Sequence, residues 1–217
     1  CVCVCIIHTA WGRYLRIVSL NNDFDKHFNL EKKFWEDQAN AQYGSFTNWP
    51  LGLAGIEPPQ SLSPTKRQQL LNTTVWAVDQ LPTRIAKLRQ MLVQPAGPPT
   101  PPGRSSVTVV HCTAGCDRTG EVIGAYRTLY GGLGADGQHG SDFGMEPAYA
   151  LDTSECGRSP NYWSTTALEW WCFELQYNRQ LQRGNCTGFA VCQPLKHGQP
   201  CEPAKHSQWA LNSIDNQ

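Results

Sequence analysis

Ten consecutive residues, His111-Cys112-Thr113-Ala114-Gly115-Cys116-Asp117-Arg118-Thr119-Gly120, constrain this chain more than any other feature. They lie between an apolar run, Ser106 to Val110, and a helical stretch, Glu121 to Tyr130. The pattern predicts a strand ending at Val110, a sharp turn at Gly115 and a helix starting near Thr119 or Gly120. In such a unit the N–H groups of the turn and of the helix N-terminus converge on an anion. Cys112 sits at the centre of that field, so its pKa is expected to be strongly depressed and its sulfur nucleophilic near neutral pH. Arg118, six positions on, offers two parallel donors to two phosphate oxygens, a geometry that lysine does not reproduce.

The spacing His-Cys-x-x-Gly-x-x-Arg-Thr-Gly resembles the signature of the cysteine-based protein tyrosine and dual-specificity phosphatase superfamily, and each fixed position is matched. The resemblance implies an α/β fold: a central, mostly parallel sheet flanked by helices, with a phosphatase-like P-loop between a strand and a helix. It also implies a hydrolase that works through a cysteinyl-phosphate intermediate and needs neither metal nor cofactor. Cys112 attacks phosphorus in line, and Arg118 with Thr113, Ala114, Gly115, Cys116 and Asp117 holds the equatorial oxygens. Water then opens the thiophosphate. Thr119 matches the family residue whose hydroxyl stabilises the departing thiolate. His111 matches the one that sets the loop through hydrogen bonds and favours the thiolate.

The proton donor to the leaving group is where the chain departs from this pattern. Tyrosine-specific members carry Trp-Pro-Asp on a mobile loop, and here Asn48-Trp49-Pro50 is followed by Leu51. Two carboxylates are candidates. Glu57 occupies the same proline-rich loop in Gly55-Ile56-Glu57-Pro58-Pro59. Asp117 precedes Arg118-Thr119 in an Asp-Arg-Thr order that resembles myotubularins and inositol phosphatases. Each also has a plainer reading, Glu57 as a solvated loop carboxylate and Asp117 as a brace for its own loop. Asp23 and Asp25 read as turn residues. The expected substrate is a phosphorylated protein or a phosphoinositide, although the loop lacks the lysines that suit a polyphosphorylated headgroup. The alternative is a catalytically weak pseudophosphatase, a secreted or surface phosphate-binding or structural module that keeps the cradle without the acid. A rhodanese-like sulfur transferase also uses Cys-x5-Arg but is poorly matched by Arg118-Thr119-Gly120.

The 217 residues suffice for one domain with elaborations. The resemblance covers about Leu15 to Arg179, so the expected division is a catalytic domain over 1–182 and a Cys/Gly/Pro-rich extension over 183–217. Net charge is zero and charged residues are 17%, which gives no indication of a nucleic-acid partner. No apolar run approaches the roughly 20 residues that span a bilayer. Setting Cys112 and Cys116 aside leaves Cys1, Cys3, Cys5, Cys156, Cys172, Cys186, Cys192 and Cys201. This even set is able to form disulfides between the ends and the body, with 105 pairings open. Sequons at Asn72 and Asn185 and a first residue other than methionine point the same way. The expectation is a processed or partial glycoprotein of the secretory pathway or cell exterior, against a reduced cytosol. Cys116, four residues from Cys112, either caps it reversibly as a disulfide or only lends a backbone N–H.

Elsewhere, Cys1 to Ile7 and Tyr14 to Leu20 read as strands. Asn29 to Gln42 reads as a helix with Leu30, Phe34 and Ala41 inward. Ser63 is the expected N-cap, with Pro64 at the first helical position, of a helix whose apolar face is Leu70, Leu71, Val75 and Val78. Pro82 breaks or kinks it before a second stretch with Ile85, Leu88 and Leu92 inward. Gln94 to Gly103, with five prolines and two glycines, and Gly131 to Gly144 read as loops. Ser159-Pro160 precedes an aromatic-rich helix with Ala167, Trp170, Trp171, Phe173, Leu175 and Tyr177 expected in the core.

Overall fold

The strand Tyr14–Ser19 (β1) is buried at five of its six positions, as a strand covered on both faces must be. It is the middle strand of a three-stranded sheet, with Gly44–Asn48 (β2) on one side and Ser106–His111 (β3) on the other, both parallel to it. The register pairs Ser19 with Asn48 and with His111, so the carboxyl ends of all three strands finish level. The chain leaves β1 toward β2 and then crosses back over β1 to reach β3. The carboxyl ends of β1 and β3 therefore flank a point where the winding reverses, the place where open α/β sheets bind ligands. The computed structural model describes residues 13–51, 57–94, 96, 99–130 and 161–178. The expected strand at Cys1 to Ile7, the loop from Gly131, Ser159-Pro160 and the extension from residue 183 lie outside them.

Helix α1, Phe28–Glu36, is shorter than the periodicity predicts, and its expected apolar face is a misreading. Leu30 and Phe34 are 67% and 52% exposed, Ala41 is exposed beyond the helix end, and Phe28 is the residue that turns inward. The chain is diverted because Gly44 opens β2, a strand that the alternation of Gly44-Ser45-Phe46-Thr47-Asn48 does not announce. A Cβ on Gly44 would stand 2.5 Å from the Leu15 carbonyl oxygen and 2.7 Å from the Trp35 ring, so only glycine permits this approach.

Helix α2, Pro64–Thr73, begins as expected: Ser63 Oγ accepts from the Lys66 amide and Pro64 stands in the first turn. Leu71 and Val75 are buried, whereas Val78 is 70% exposed. Pro82 does not kink a helix but stands in the first turn of α3, Leu81–Val93, where its missing N–H removes no helical bond. Ile85 and Leu88 face the core and Leu92 is 43% exposed.

Helix α4, Asp117–Tyr130, follows β3 after five residues, and α5 spans Tyr162–Tyr177. Every residue from Ser164 to Leu175 is buried, so α5 is enclosed all round rather than along one stripe. Its indoles are anchored as buried indoles need to be. Trp171 Nε1 donates to the Ala125 carbonyl and Trp170 Nε1 to that of Glu57, each at 3.0 Å. Gly124 lets α4 approach closely, since a Cβ there would lie 3.1 Å from Leu168 Cδ2. This packing fixes α4, and α4 carries the site. Among the described residues no helix is long and apolar enough to cross a membrane.

Candidate active site

The connection from β3 to α4 turns at Gly115, whose φ of 75° is a left-handed conformation that a side chain would strain. The helix begins at Asp117, two or three residues earlier than the sequence suggests, and the Gly120 amide donates to the Cys116 carbonyl at 2.8 Å. Arg118 therefore projects from the first turn of α4. Cys112, immediately after β3, is a free thiol, 8% exposed. Cys116 is engaged in a disulfide with a partner other than Cys112, so the two loop cysteines do not cap one another.

Cys112, Thr113, Ala114, Asp117 and Arg118 line a cleft of about 430 Å³. Asn22 and Phe24 from the segment after β1 close one side, Leu51 from the segment after β2 another, and Asn161, Trp163 and Ser164 at the start of α5 a third. Each wall thus stands at the carboxyl end of a strand or the amino end of a helix.

The guanidinium of Arg118 is held on one edge. Nη1 donates to Asp25 Oδ2 at 2.6 Å and to the Leu20 carbonyl at 3.1 Å, while Nη2 donates to Asp25 Oδ1 at 3.0 Å and reaches Thr113 Oγ1 at 3.4 Å. Asp25 is therefore more than a turn residue. It accepts the Asn22 amide at 2.6 Å, as an aspartate that stabilises a turn does. The same carboxylate clamps an arginine 93 positions away. The Arg118 hydrogen bonds hold the Asp25 carboxyl below its usual range, against a smaller opposing effect of burial. Cys112 lines the cleft with Arg118; burial alone would lower the Arg118 pKa, and Asp25 and then Cys112 raise it. Thr113 Oγ1 is 3.1 Å from Asn21 Oδ1 and 3.2 Å from Asp25 Oδ1, tying the loop to the same turn.

His111, the last residue of β3, places Nε2 2.6 Å from Glu31 Oε1 of α1, and Ser19 Oγ donates to Glu31 Oε2 at 3.0 Å. Burial alone would lower the imidazole pKa, but the hydrogen bond and charge of Glu31 raise it above its usual value. Neither Glu31 nor Asp25 is marked by a sequence motif. Their partners are set by the strand order, and only the nearness of each to the end of β1 hints at the placement.

The remaining expected residues divide. Thr119 follows Cys112 by seven positions, and its Oγ1 is buried without a hydrogen-bond partner among the described residues. Asp117 lines the cleft, and its Oδ1 accepts the Asn161 amide at 2.7 Å, pinning the start of α5. Glu57 is exposed, accepts from Ser61 Oγ at 2.8 Å and is not among the residues that line the cleft. Leu51 is 3% exposed and lines it as an apolar wall. A carboxylate that motif reading passes over, Glu121, lines the cleft one turn beyond Arg118. Among the described residues no group of three or more His, Cys, Asp or Glu side chains is arranged to hold a metal ion. No protein-family model, curated protein or solved structure matches the chain.

Proposed function

We propose that this chain is a cysteine-dependent phosphomonoester hydrolase of the dual-specificity type, with the β3–α4 connection as its P-loop. The observation that carries the reading is that the free thiol of Cys112 and the guanidinium of Arg118 line one cleft. Asp25 and the Leu20 carbonyl hold one edge of that guanidinium. A phosphate seated there would meet the remaining Arg118 donors already oriented, so little ordering is left for binding to accomplish. Cys112 Sγ attacks phosphorus, the ester oxygen leaves with a proton, and water then displaces the sulfur to give inorganic phosphate. Thr119 Oγ1, buried and unpaired, is available to the thiolate as it departs.

Among the described residues Arg118 is the only cationic side chain lining the cleft, and Phe24, Leu51 and Trp163 are among its walls. That balance suits one phosphate on a largely apolar or aromatic stem, such as a phosphorylated side chain of a protein. It suits a polyphosphorylated headgroup less well. The disulfide at Cys116 and the exposed Asn72 at the end of α2 support placement of the protein in an oxidising compartment.

A second reading is favoured by Leu51: a cradle without a proton donor on that loop binds phosphate and turns it over poorly. The experiment that separates the two is aryl phosphate hydrolysis by the wild type and by Cys112→Ser, together with tungstate binding by both. Turnover lost in Cys112→Ser with tungstate binding retained supports the hydrolase. Tungstate binding by a wild type without turnover supports the phosphate-binding module, and turnover surviving in Cys112→Ser removes Cys112 as the nucleophile.

A further inference from the structure

Among the described residues three carboxyl groups stand at or beside the cleft, and their surroundings differ. Asp25 is held ionised by Arg118, and Asp117 offers Oδ1 to a backbone amide. Glu121 sits three residues beyond Arg118 on α4, a spacing that puts both side chains on one face of the helix. It is 3% exposed, it lines the cleft beside Arg118 and Ser164, and its Oε1 is buried with no hydrogen-bond partner.

The charged groups around Glu121 come from each element packed against it. Asp79, wholly buried, precedes α3; Arg84 belongs to α3; Arg118 shares α4; and Ser164 of α5 lines the cleft with it. Burial first, and then the charge of Asp79, push the Glu121 carboxyl well above its usual pKa against the opposing effects of Ser164, Arg84 and Arg118. Asp79 is itself raised to about 6, chiefly by burial. Glu121 makes no ion pair among the described residues. A carboxyl so enclosed is stable as the neutral acid, which has a proton to give.

We propose that Glu121 is the proton donor to the leaving oxygen, the role that Leu51 leaves vacant. The assignment rests on the phosphatase reading above. As the Sγ–P bond forms and the P–O bond breaks, the Glu121 O–H proton passes to the departing oxygen, leaving a carboxylate that faces Arg84 and Arg118. In the second step that carboxylate takes a proton from the attacking water as the O–P bond forms and the Sγ–P bond breaks. Cys112 thiolate and protonated Glu121 are restored, and phosphate is released. An enclosed, unpaired Oε1 on the cleft wall is what distinguishes Glu121 from Asp25, whose two oxygens both meet Arg118.

The test is the leaving-group dependence of kcat/KM in the wild type and in Glu121→Gln. Alkyl phosphates should slow by about 10²-fold or more in the variant, while a substrate with a strongly acidic phenol should change by less than about 3-fold. The alkaline limb of the wild-type pH profile should disappear. Equal losses for both substrates, or an unchanged alkaline limb, would overturn the proposal while leaving the phosphatase reading intact. A wild type inactive on every phosphate would overturn both. Should Glu121→Gln fail to fold, the wild type and Asp117→Asn decide: a shallow leaving-group dependence in both supports Glu121, and a steep one in either overturns it.

Discussion

Asp25 grips the Arg118 guanidinium through both Nη1 and Nη2, at 2.6 and 3.0 Å, although one residue follows β1 and the other opens α4. The parallel register of β1 and β3 brings their carboxyl ends level, and the pair closes the gap between them. The pair therefore belongs both to the fold and to the orientation of the site's principal cation.

Replacing Asp25 by Asn removes the charge and keeps the shape. Arg118 should lose its fixed orientation, and kcat/KM for an aryl phosphate should fall by about 10²-fold, about 2.7 kcal/mol of transition-state stabilisation. Because Arg118 depresses the Asp25 pKa, the pair contributes stability above the unfolded aspartate value near 3.9, and this is lost as pH falls through the lower folded value. Urea midpoints across the acid range should show a smaller acid-side decline in Asp25→Asn than in the wild type. An identical decline would remove the pair's electrostatic role.

His111 and Glu31 make the opposite pH statement. The folded His111 pKa lies above its unfolded value near 6.5, raised by Glu31 against the larger opposing effect of burial. The stabilisation is complete below about pH 6.5 and is lost as pH rises through the folded value. Glu31→Gln should therefore destabilise the protein most below pH 6.5, with the gap to the wild type narrowing at higher pH. An NMR titration of His111 should show its midpoint falling in the variant.

How much of this the chain announced depends on the distance over which each feature is decided. The loop and its flanking strand and helix were legible because ten adjacent residues specify them. Ser63-Pro64 was legible because a cap acts within one turn. Asp25 was not, since its partner is chosen by the order β2-β1-β3 and lies 93 positions away. Leu30 and Phe34 misled because apolar period alone cannot say that Phe28 is the residue that turns in, nor that the helix stops at Glu36 so that β2 can begin. No motif singles out Glu121 in the sequence. Its burial becomes visible only when α3 and α5 are laid over α4.

Asp117 pins α5 through the Asn161 amide at 2.7 Å, and Asn at position 117 keeps a side-chain oxygen in the same place. Asp117→Asn should be close to the wild type in stability, whereas Asp117→Ala should lose about 1–2 kcal/mol as that amide loses its acceptor. With Glu121 as donor, Asp117→Asn should slow alkyl and activated aryl phosphates by the same factor. A loss confined to alkyl substrates would move the proton donor to Asp117.

Arg16, at the centre of the sheet, is 1% exposed and directs its guanidinium at the last turn of α3 and the chain that follows it. Nε and Nη2 donate to Thr100 Oγ1 at 3.1 and 2.7 Å, Nη1 to the Met91 carbonyl at 2.9 Å and Nη2 to that of Gln94 at 3.1 Å. Among the described residues one planar fork thus meets three acceptors, at Met91, Gln94 and Thr100. Arg16→Met fills similar volume but strands those acceptors, and a loss of about 3–5 kcal/mol in urea unfolding is expected. Arg16→Lys should recover only part of it, because a single ammonium cannot reach all three. Arg16 precedes the carboxyl end of β1 by three residues, so the folded fraction of either variant should hydrolyse aryl phosphate at the wild-type rate. A stability loss below about 1 kcal/mol in Arg16→Met would mean that the segment from Met91 to Thr100 is held by other contacts.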